Sequence, residues 1–172
     1  RLRRLGDDLA SLSRAEEGSA GLTIVPVDLD ALATGVLDRL RPQAVDAGLT
    51  LVGTAGAGSG RADADRTMQV LTNLVGNAIR ATPPGGTITV TGARGAGRAT
   101  LVVADTGEGL ARGDLERVFE RFYRVPGARS VSGGSGIGLT VARAYMRAMG
   151  GELTATSPGP GKGAAFTASF PV

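Results

Sequence analysis

The stretch QVLTNLVGNAIRATPPGG, residues 69–86, has the pattern of an amphipathic helix that ends at two prolines. Its apolar residues recur at helical spacing on one face, and Asn73, Asn77 and Arg80 share another face. Such a polar stripe can simply face water. Asn73 and Asn77 are, however, the only asparagines in the chain, and asparagine is a poor helix former. The stripe therefore favours a site where amide oxygens bind Mg²⁺ and Arg80 meets phosphate groups.

A second candidate segment follows a predicted strand in VVADTGEGL, residues 102–110. An aspartate followed by glycines at a strand end is an ordinary turn signal. Alternatively, the Asp105 carboxylate accepts a hydrogen bond from an exocyclic amine, while Gly107 and Gly109 let the chain pass flat beside a ring. A buried aspartate used in this way discriminates adenine from guanine.

A third candidate segment is GGSGIGL, residues 133–139, which leads directly into a predicted helix. Closely spaced glycines let backbone N–H groups approach a ligand, and a helix N-terminus favours an anion. The segment is not a Walker loop, because no Gly-Lys-Ser/Thr follows, and Lys162 elsewhere lacks the hydroxyl neighbour. Its spacing also differs from the dinucleotide fingerprint. These letters alone leave phosphate binding and a simple turn both open.

The composition excludes several kinds of site. The 172 residues include no cysteine and no histidine, which rules out disulfides, zinc or thiolate sites and catalysis by Ser-His or Cys-His pairs. The net charge is +3, and the 3% of aromatic residues do not alternate with arginines, which argues against nucleic-acid binding. The chain has 42% hydrophobic residues, no signal peptide and no run near the roughly 20 apolar residues of a membrane span. We therefore expect one water-soluble domain.

The predicted elements indicate an α+β fold with two layers, in which helices pack on a mostly antiparallel sheet of about five strands. We expect TAGAGSGRA, residues 54–62, to be a flexible loop without core residues. We expect GDLERVFERFYR, residues 113–124, to be a short helix with one apolar side. That side consists of Leu115, Val118, Phe119 and Phe122.

The first 18 residues carry a leucine seam, formed by Leu2, Leu5, Leu9 and Leu12 at spacings of three, four and three. Two heptads are too few to hold a coiled coil alone. Two interpretations remain open: a surface helix that packs on its own domain, or the end of a longer dimerising helix. The segment GSAGL breaks the pattern, so a boundary is predicted near residue 20.

The order of these motifs resembles the ATP-binding domain of sensor histidine kinases, a branch of the GHKL superfamily with gyrase-type ATPases and heat-shock chaperones. QVLTNLVGNAIRATPPGG resembles the N box, DTGEG the first glycine box, FERFYR the F box and GGSGIGL the second glycine box. RLGDDLASLSRAEEG resembles the end of a dimerisation and phosphotransfer hairpin. The resemblance covers essentially the whole chain and implies a hairpin end and linker at 1–20 and an ATP-binding catalytic domain at 21–172.

The resemblance implies the Bergerat fold, with about three main helices on one face of the sheet, and a Mg²⁺-ATP site. Asn77 would ligate Mg²⁺, and Asn73 would assist as a second ligand. Asn73 would also be a catalytic residue, and Arg80 would approach the phosphates. Asp105 would bind the adenine amino group. The remaining pocket and phosphate residues would be Ala81, Gly107, Gly109, Leu110, Gly134, Ser135, Gly136, Ile137, Gly138 and Leu139.

The resemblance also implies a mobile ATP lid at residues 124–135, anchored by Phe119 and Phe122. Arg121, taken as the catalytic arginine, or Arg124 would reach the γ-phosphate, although an arginine on a short exposed helix is often simply solvated.

Three departures from the family pattern matter, of which the one at Met149 is expected to have no catalytic effect. Ala81 stands where many relatives have an aromatic residue or histidine, so adenine loses a stacking partner. Met149 replaces a common histidine. The phosphoacceptor histidine is absent, so we expect the fragment to hold ATP without phosphorylating itself. Asn73 replaces a glutamate that activates water in the superfamily's ATPases, which predicts slow ATP hydrolysis.

The implied activity is that of a protein-histidine kinase in a two-component system. The implied partners are the parent's own dimerisation domain and a response-regulator receiver domain, and the parent is expected to be a membrane-anchored homodimer. This domain would then lie on the cytoplasmic side of the bacterial inner membrane. Two alternatives are an anti-sigma-type serine kinase of the same superfamily and a nucleotide-binding regulatory module without transfer activity.

Overall fold

The computed structural model describes residues 2–18, 21–127 and 134–172. No helix in these ranges is both long and apolar enough to cross a membrane. The elements run in the order α1 (Leu2–Glu16), β1 (Val25–Asp28), α2 (Leu29–Asp46), β2 (Thr50–Thr54), β3 (Ser59–Ala62), α3 (Ala64–Ala81), β4 (Thr87–Gly95), β5 (Arg98–Asp105), α4 (Gly138–Ala148), β6 (Glu152–Thr156) and β7 (Ala164–Pro171).

The main sheet has five strands in the order β2-β4-β5-β7-β6. β2 lies parallel to β4, and every other neighbouring pair is antiparallel. β1 and β3 form a separate two-stranded antiparallel ribbon. The predicted α+β class, with its mixed and mostly antiparallel sheet, is therefore confirmed.

One face of the sheet is buried beneath α2, α3 and α4. Burial alternates along β5, so that Leu101, Val103 and Asp105 point to the covered face. α3 packs between α2 and α4, and its predicted apolar face is buried. Asp105 thus ends a strand whose other inward-facing residues are apolar, which places a carboxylate at the rim of the core.

The expectation of a coreless loop at residues 54–62 is wrong, because β3 lies inside this segment and pairs with β1. Ala57 and Ala62 are fully buried. A Cβ on Gly60 would lie 2.7 Å from Leu29 Cδ1, so the strand lies close against the first turn of α2. Small residues permit this close packing, and for the same reason the segment lacks the β-branched and aromatic residues that indicate a strand.

The expected helix at residues 113–124 is also wrong. The segment forms two short 3-10 turns, Arg112–Asp114 and Arg117–Phe119. Phe119 is buried and meets Phe166 edge-on at 6.1 Å between ring centroids. Phe122 is 59% exposed and has φ of 61°, a left-handed conformation that ends any helical run. Phe119 therefore belongs to the core, and Phe122 does not pack beside it.

The N-terminal helix α1 packs against α4. Leu12 and Ala15 are buried in this contact, whereas Leu2 and Leu9 are exposed. The side-chain amide of Gln69 in α3 donates to Ser11 Oγ at 3.2 Å. The leucine seam is thus divided between a face that contacts this domain and a face that is open.

Candidate functional site

A cavity of about 770 Å³ opens between α3, the segment after β5 and the N-terminus of α4. Residues from all three candidate motifs line it together. These are Asn73, Asn77, Arg80, Ala81, Asp105, Gly109, Leu110, Gly134, Ser135, Gly136, Gly138 and Leu139. The predicted site residues Gly107, Ile137 and Arg121 do not line it.

α3 brings its polar stripe to one wall of the cavity. The helix begins after Asp63, whose carboxylate accepts the N–H of Arg66 at 3.0 Å as an N-cap. The side-chain amide of Asn73 donates to the Gly138 carbonyl at 3.0 Å, which joins the middle of α3 to the first turn of α4. Asn77, one turn further along α3, lines the same cavity. The stripe thus faces the cavity, and its first asparagine is hydrogen-bonded within the fold.

The Asp105 carboxylate is 9% exposed at the end of β5. Its Oδ1 accepts hydrogen bonds from the N–H groups of Gly107 at 2.8 Å and Ala164 at 3.4 Å. Burial raises the pKa of Asp105 above its ordinary value, and the two N–H groups partly offset this effect. Because both bonds end on Oδ1, Oδ2 is the oxygen left to accept a hydrogen bond from a ligand.

The glycines after Asp105 are required by close backbone contacts. A Cβ on Gly107 would lie 2.3 Å from the Ala81 carbonyl oxygen. A Cβ on Gly109 would lie 2.2 Å from the Gly159 carbonyl oxygen, and Gly109 has φ of 66°. Gly109 lines the cavity, whereas Gly107 does not line it and instead donates a hydrogen bond to the Asp105 carboxylate.

The second glycine segment forms the N-terminal approach to α4. Gly136 has φ of 76°, and its carbonyl accepts the N–H of Phe122 at 2.8 Å. Ile137, the N-cap residue of α4, is buried, and its side chain offers no hydrogen bond to the first turn. A helix N-terminus without a side-chain cap, beside a cavity, presents backbone donors and a favourable dipole to an anion.

The two candidate arginines lie in different places. Arg124 lines the cavity, and its guanidinium donates to the Gly134 carbonyl at 2.6 Å. Arg121 lies outside the cavity and forms an ion pair with Glu16 of α1. Residues 128–133, which belong to the expected lid at 124–135 and include the first glycine of the second glycine segment, lie outside the described residues.

Sequence reasoning missed the contribution of the loop at residues 157–163. The loop leads into β7, whose Ala164 and Phe166 line the cavity. Its glycines at 159, 161 and 163 were a signal of close backbone approach, but they lie far from the other motifs along the chain. Asp8, Leu40, Gln43 and Thr72 also line the cavity, and no pattern in the sequence indicated them.

The side chains of this cavity limit how a metal could be held. Among the described residues, no group of three His, Cys, Asp or Glu side chains is arranged to bind a metal ion. α3 brings two amide oxygens to the cavity, those of Asn73 and Asn77, besides the Thr72 hydroxyl. A hard cation such as Mg²⁺ accepts this kind of ligand when waters or ligand oxygens complete its shell.

The chain resembles known sensor kinases in sequence. It is 40% identical over 152 residues to the sensor protein IrlS of Burkholderia pseudomallei. The alignment covers 88% of this chain and 32% of that protein. It is 33% identical over 173 residues to the signal transduction histidine-protein kinase BaeS of Escherichia coli. That alignment covers 99% of this chain and 37% of the kinase. The chain thus spans about a third of the length of these curated relatives.

The fold is shared with solved histidine kinases. The full-length ShkA structure in complex with AMPPNP has a TM-score of 0.86 and 29% identity, over 99% of this chain and 35% of that one. The mycobacterial sensor histidine kinase MprB has a TM-score of 0.73 and 27% identity, over 87% of this chain and 97% of that one. The predicted Bergerat fold is confirmed. Since residues 62–172 also match the family "Histidine kinase-, DNA gyrase B-, and HSP90-like ATPase", the chain belongs to that family.

Proposed function

We propose that this chain is the ATP-binding catalytic domain of a two-component sensor histidine kinase, which transfers the γ-phosphoryl group of Mg²⁺-ATP to a histidine of a dimerisation domain. The observation that carries the proposal is a single cavity shared by the α3 asparagines, the Asp105 carboxylate and the uncapped N-terminus of α4. The 172 residues contain no histidine, so the acceptor belongs to another segment or another chain.

The base-binding end of the cavity centres on Asp105. An ionised carboxylate accepts a hydrogen bond from the amino group of adenine, and guanine presents a carbonyl oxygen at the same position, which a carboxylate repels. Gly109, Leu110 and Ala164 form the adjacent wall, and Gly107 holds the carboxylate from behind. The small side chain of Ala81 leaves the base without an aromatic partner there, which lowers the expected affinity.

The phosphate-binding end lies at the start of α4. Backbone N–H groups from Gly134 to Leu139 and the helix dipole would hold the phosphates, with Arg80 approaching from α3. Arg124 is better placed than Arg121 to reach the γ-phosphate, because only Arg124 lines the cavity. Arg121 instead contacts α1, so in this arrangement its role is to join α1 to the domain.

Asn77 and Asn73 would hold Mg²⁺ through their amide oxygens, together with phosphate oxygens and water. The bound ion would supply charge neutralisation at the phosphates. Asn73 also donates to the Gly138 carbonyl, so the same side chain fixes the glycine segment relative to α3.

We infer slow ATP hydrolysis from the chemistry of the Asn73 amide. An amide cannot accept a proton from water, so Asn73 orients groups in the cavity without acting as a general base. Steady-state ATPase activity should therefore be close to background, and phosphoryl transfer should require a histidine placed by the partner domain. Substantial ATPase activity that Asn73→Ala abolishes would contradict this inference.

Calorimetric titration with a non-hydrolysable ATP analogue, with and without Mg²⁺, tests the binding proposal. We expect binding that Mg²⁺ strengthens and that the corresponding GTP analogue does not reproduce. Asp105→Asn should weaken binding by about 10- to 100-fold, the effect of losing a buried hydrogen bond worth about 1–3 kcal/mol. Asp38→Asn, at an exposed position of α2, is the matched control and should bind like the unchanged chain. A folded chain that binds no nucleotide would overturn the proposal.

Labelled ATP and a histidine-bearing hairpin test the transfer step. We expect label on the histidine of the hairpin, in a linkage that acid removes and alkali does not. Acid-stable label on serine would favour the anti-sigma-type serine kinase. Binding without any transfer would favour a regulatory module.

We further propose that the parent protein is a membrane-anchored homodimer that signals to a response-regulator receiver domain. The names of the relatives, a sensor protein and a signal transduction histidine-protein kinase, support the signalling part of this proposal. In such a parent this domain lies in the cytoplasm, where ATP is available. Label that passes from the hairpin histidine to a receiver aspartate would be the expected result.

A further inference from the structure

A serine at the start of the 157–163 loop joins two backbone segments at the base-binding end of the cavity. We propose that Ser157 is a positioning residue: its hydroxyl fixes the peptide group that donates to Asp105, and so determines which carboxylate oxygen meets the nucleobase. The inference rests on the proposed function, since that function assigns Asp105 to the base.

The Ser157 hydroxyl is fully used by backbone groups. It accepts hydrogen bonds from the N–H groups of Leu110 at 3.0 Å and Gly159 at 3.1 Å. It donates to the Gly163 carbonyl at 2.6 Å, the nearer of two acceptors, because the Gly159 carbonyl lies at 3.3 Å. A hydroxyl has one proton to donate and two lone pairs, so these bonds satisfy it completely. Ser157 therefore holds the segment after Asp105 and both ends of its own loop at one point.

The bond to the Gly163 carbonyl also sets the direction of the next N–H group. The Gly163 carbonyl and the Ala164 N–H belong to one planar trans peptide, so they point in opposite directions. Ser157 Oγ holds the carbonyl on one side, and Asp105 Oδ1 accepts the N–H on the other at 3.4 Å. Fixing the carbonyl therefore aims the N–H at the carboxylate.

Backbone contacts keep the two segments close enough for this arrangement. Gly163 N–H donates to the Gly107 carbonyl at 3.0 Å, and Gly161 N–H donates to the Glu108 carbonyl at 2.6 Å. A Cβ on Gly163 would lie 2.0 Å from the Asp105 carbonyl oxygen. With the segments in direct contact, a rotation of the Gly163 peptide would change the orientation of Asp105.

The consequence concerns base selectivity. When Gly107 and Ala164 both hold Oδ1, Oδ2 faces the cavity as a defined acceptor. Without Ser157, the Ala164 donor is released and the carboxylate can rotate. We therefore expect Ser157 to affect the discrimination between adenine and guanine as well as the affinity.

Titration of Ser157→Ala with ATP and GTP analogues, beside Ser157→Thr, tests this role. We expect Ser157→Ala to weaken ATP-analogue binding about tenfold and to lower the ATP-to-GTP ratio by a similar factor. Ser157→Thr keeps the hydroxyl and should bind like the unchanged chain. Ser59→Ala, an exposed serine that does not line the cavity, serves as the control.

Two further readouts separate positioning from a loss of stability. In an Asp105→Asn background, Ser157→Ala should cause no further weakening, because Ser157 acts through that carboxylate. The pH below which binding is lost should also move upward in Ser157→Ala, since the Ala164 N–H that lowers the pKa of Asp105 is released. Additive losses in the two variants, together with an unchanged pH profile, would overturn the inference.

The outcomes distinguish this inference from the proposed function. If the unchanged chain binds no ATP analogue, the proposed function fails. If it binds, Asp105→Asn loses binding and Ser157→Ala keeps both affinity and selectivity, only the role of Ser157 fails. Should Ser157→Ala not fold, Ser157→Cys keeps the side-chain size with a much weaker donor and acceptor, and the same changes are expected at smaller amplitude.

Discussion

At the residue scale, Asp105 combines two opposing requirements. The alternation along β5 buries its side chain, whereas the proposed recognition of an amino group needs the carboxylate to stay ionised. Two backbone N–H groups favour the charged form without removing the cost of burial, so the pKa remains raised. A raised pKa means that the folded chain binds this proton more tightly than the unfolded chain does. The fold thus makes ionisation of this carboxylate less favourable than it is in the unfolded chain.

The raised pKa of Asp105 leads to a prediction about pH. We expect ATP-analogue affinity to fall as the pH drops through the pKa of Asp105, at a pH above the ordinary aspartate value of 3.8. Over the same range the free energy of unfolding should gain a contribution, because protonation relieves the buried charge. Parallel titration and denaturant unfolding between pH 8 and pH 4 would measure both. An affinity that stays constant until the chain unfolds would contradict the assignment.

At the element scale, the sequence was informative where periodicity and local signals agreed. α3 has both an apolar stripe and stop signals at Pro83, and the β4-β5 hairpin has clear alternation. The sequence was uninformative where contacts between residues far apart along the chain determine the structure. β3 exists because it pairs with β1, and the conformation of Phe122 accompanies a backbone contact with Gly136. The 157–163 loop joined the site through contacts with the segment after Asp105, about fifty residues away along the chain.

The loop before β3 also depends on one distant side chain. Asp30, near the start of α2, accepts hydrogen bonds from the backbone N–H groups of Gly56, Ala57 and Gly58 at 2.8–3.1 Å. Desolvation acts to raise the pKa of Asp30, but the three donors outweigh it and hold the pKa below its ordinary value. The carboxylate therefore anchors the β2-β3 connection to α2.

We expect Asp30→Asn to lower the free energy of unfolding by about 1 kcal/mol at pH 7, because an amide group would face the Gly58 donor. A lowered pKa stabilises the fold above the unfolded value and loses that effect as the pH falls through the folded value. The difference from the unchanged chain should therefore shrink below pH 3.8. Denaturant unfolding beside the exposed control Asp38→Asn would measure it, and equal losses in both variants would contradict the anchoring role.

At the scale of the whole molecule, α1 packs on the rest of the chain through one part of its surface. Leu12 and Ala15 are buried against the domain, and Glu16 pairs with Arg121. Leu2 and Leu9 are left open on the same helix. The helix therefore packs on its own domain, as one of the two interpretations of the leucine seam predicts, and it also keeps an apolar edge. The longer dimerising helix stays a prediction.

The division of the seam predicts unequal effects of truncating its leucines. Leu12→Ala should cost about 2–3 kcal/mol, because Leu12 is 2% exposed and truncation leaves a cavity. Much of this loss should appear as faster hydrogen exchange in α1, since a terminal helix can open locally. Leu9→Ala, at a 43% exposed position, should have little effect on the isolated chain. Similar exchange in both variants would argue against this mode of packing.

The pairing of β5 has a consequence for the fidelity of folding. Asp105 lies opposite Ile88 in β4 and Ala164 in β7, and the turn at Ala96 and Gly97 fixes the first of these alignments. A slip of one residue along either neighbour would turn the carboxylate outward and bring a different side chain to the rim of the core. The turn far from the cavity therefore determines the alignment of the proposed nucleobase site, and a misaligned hairpin would give a folded domain without the proposed acceptor for the base.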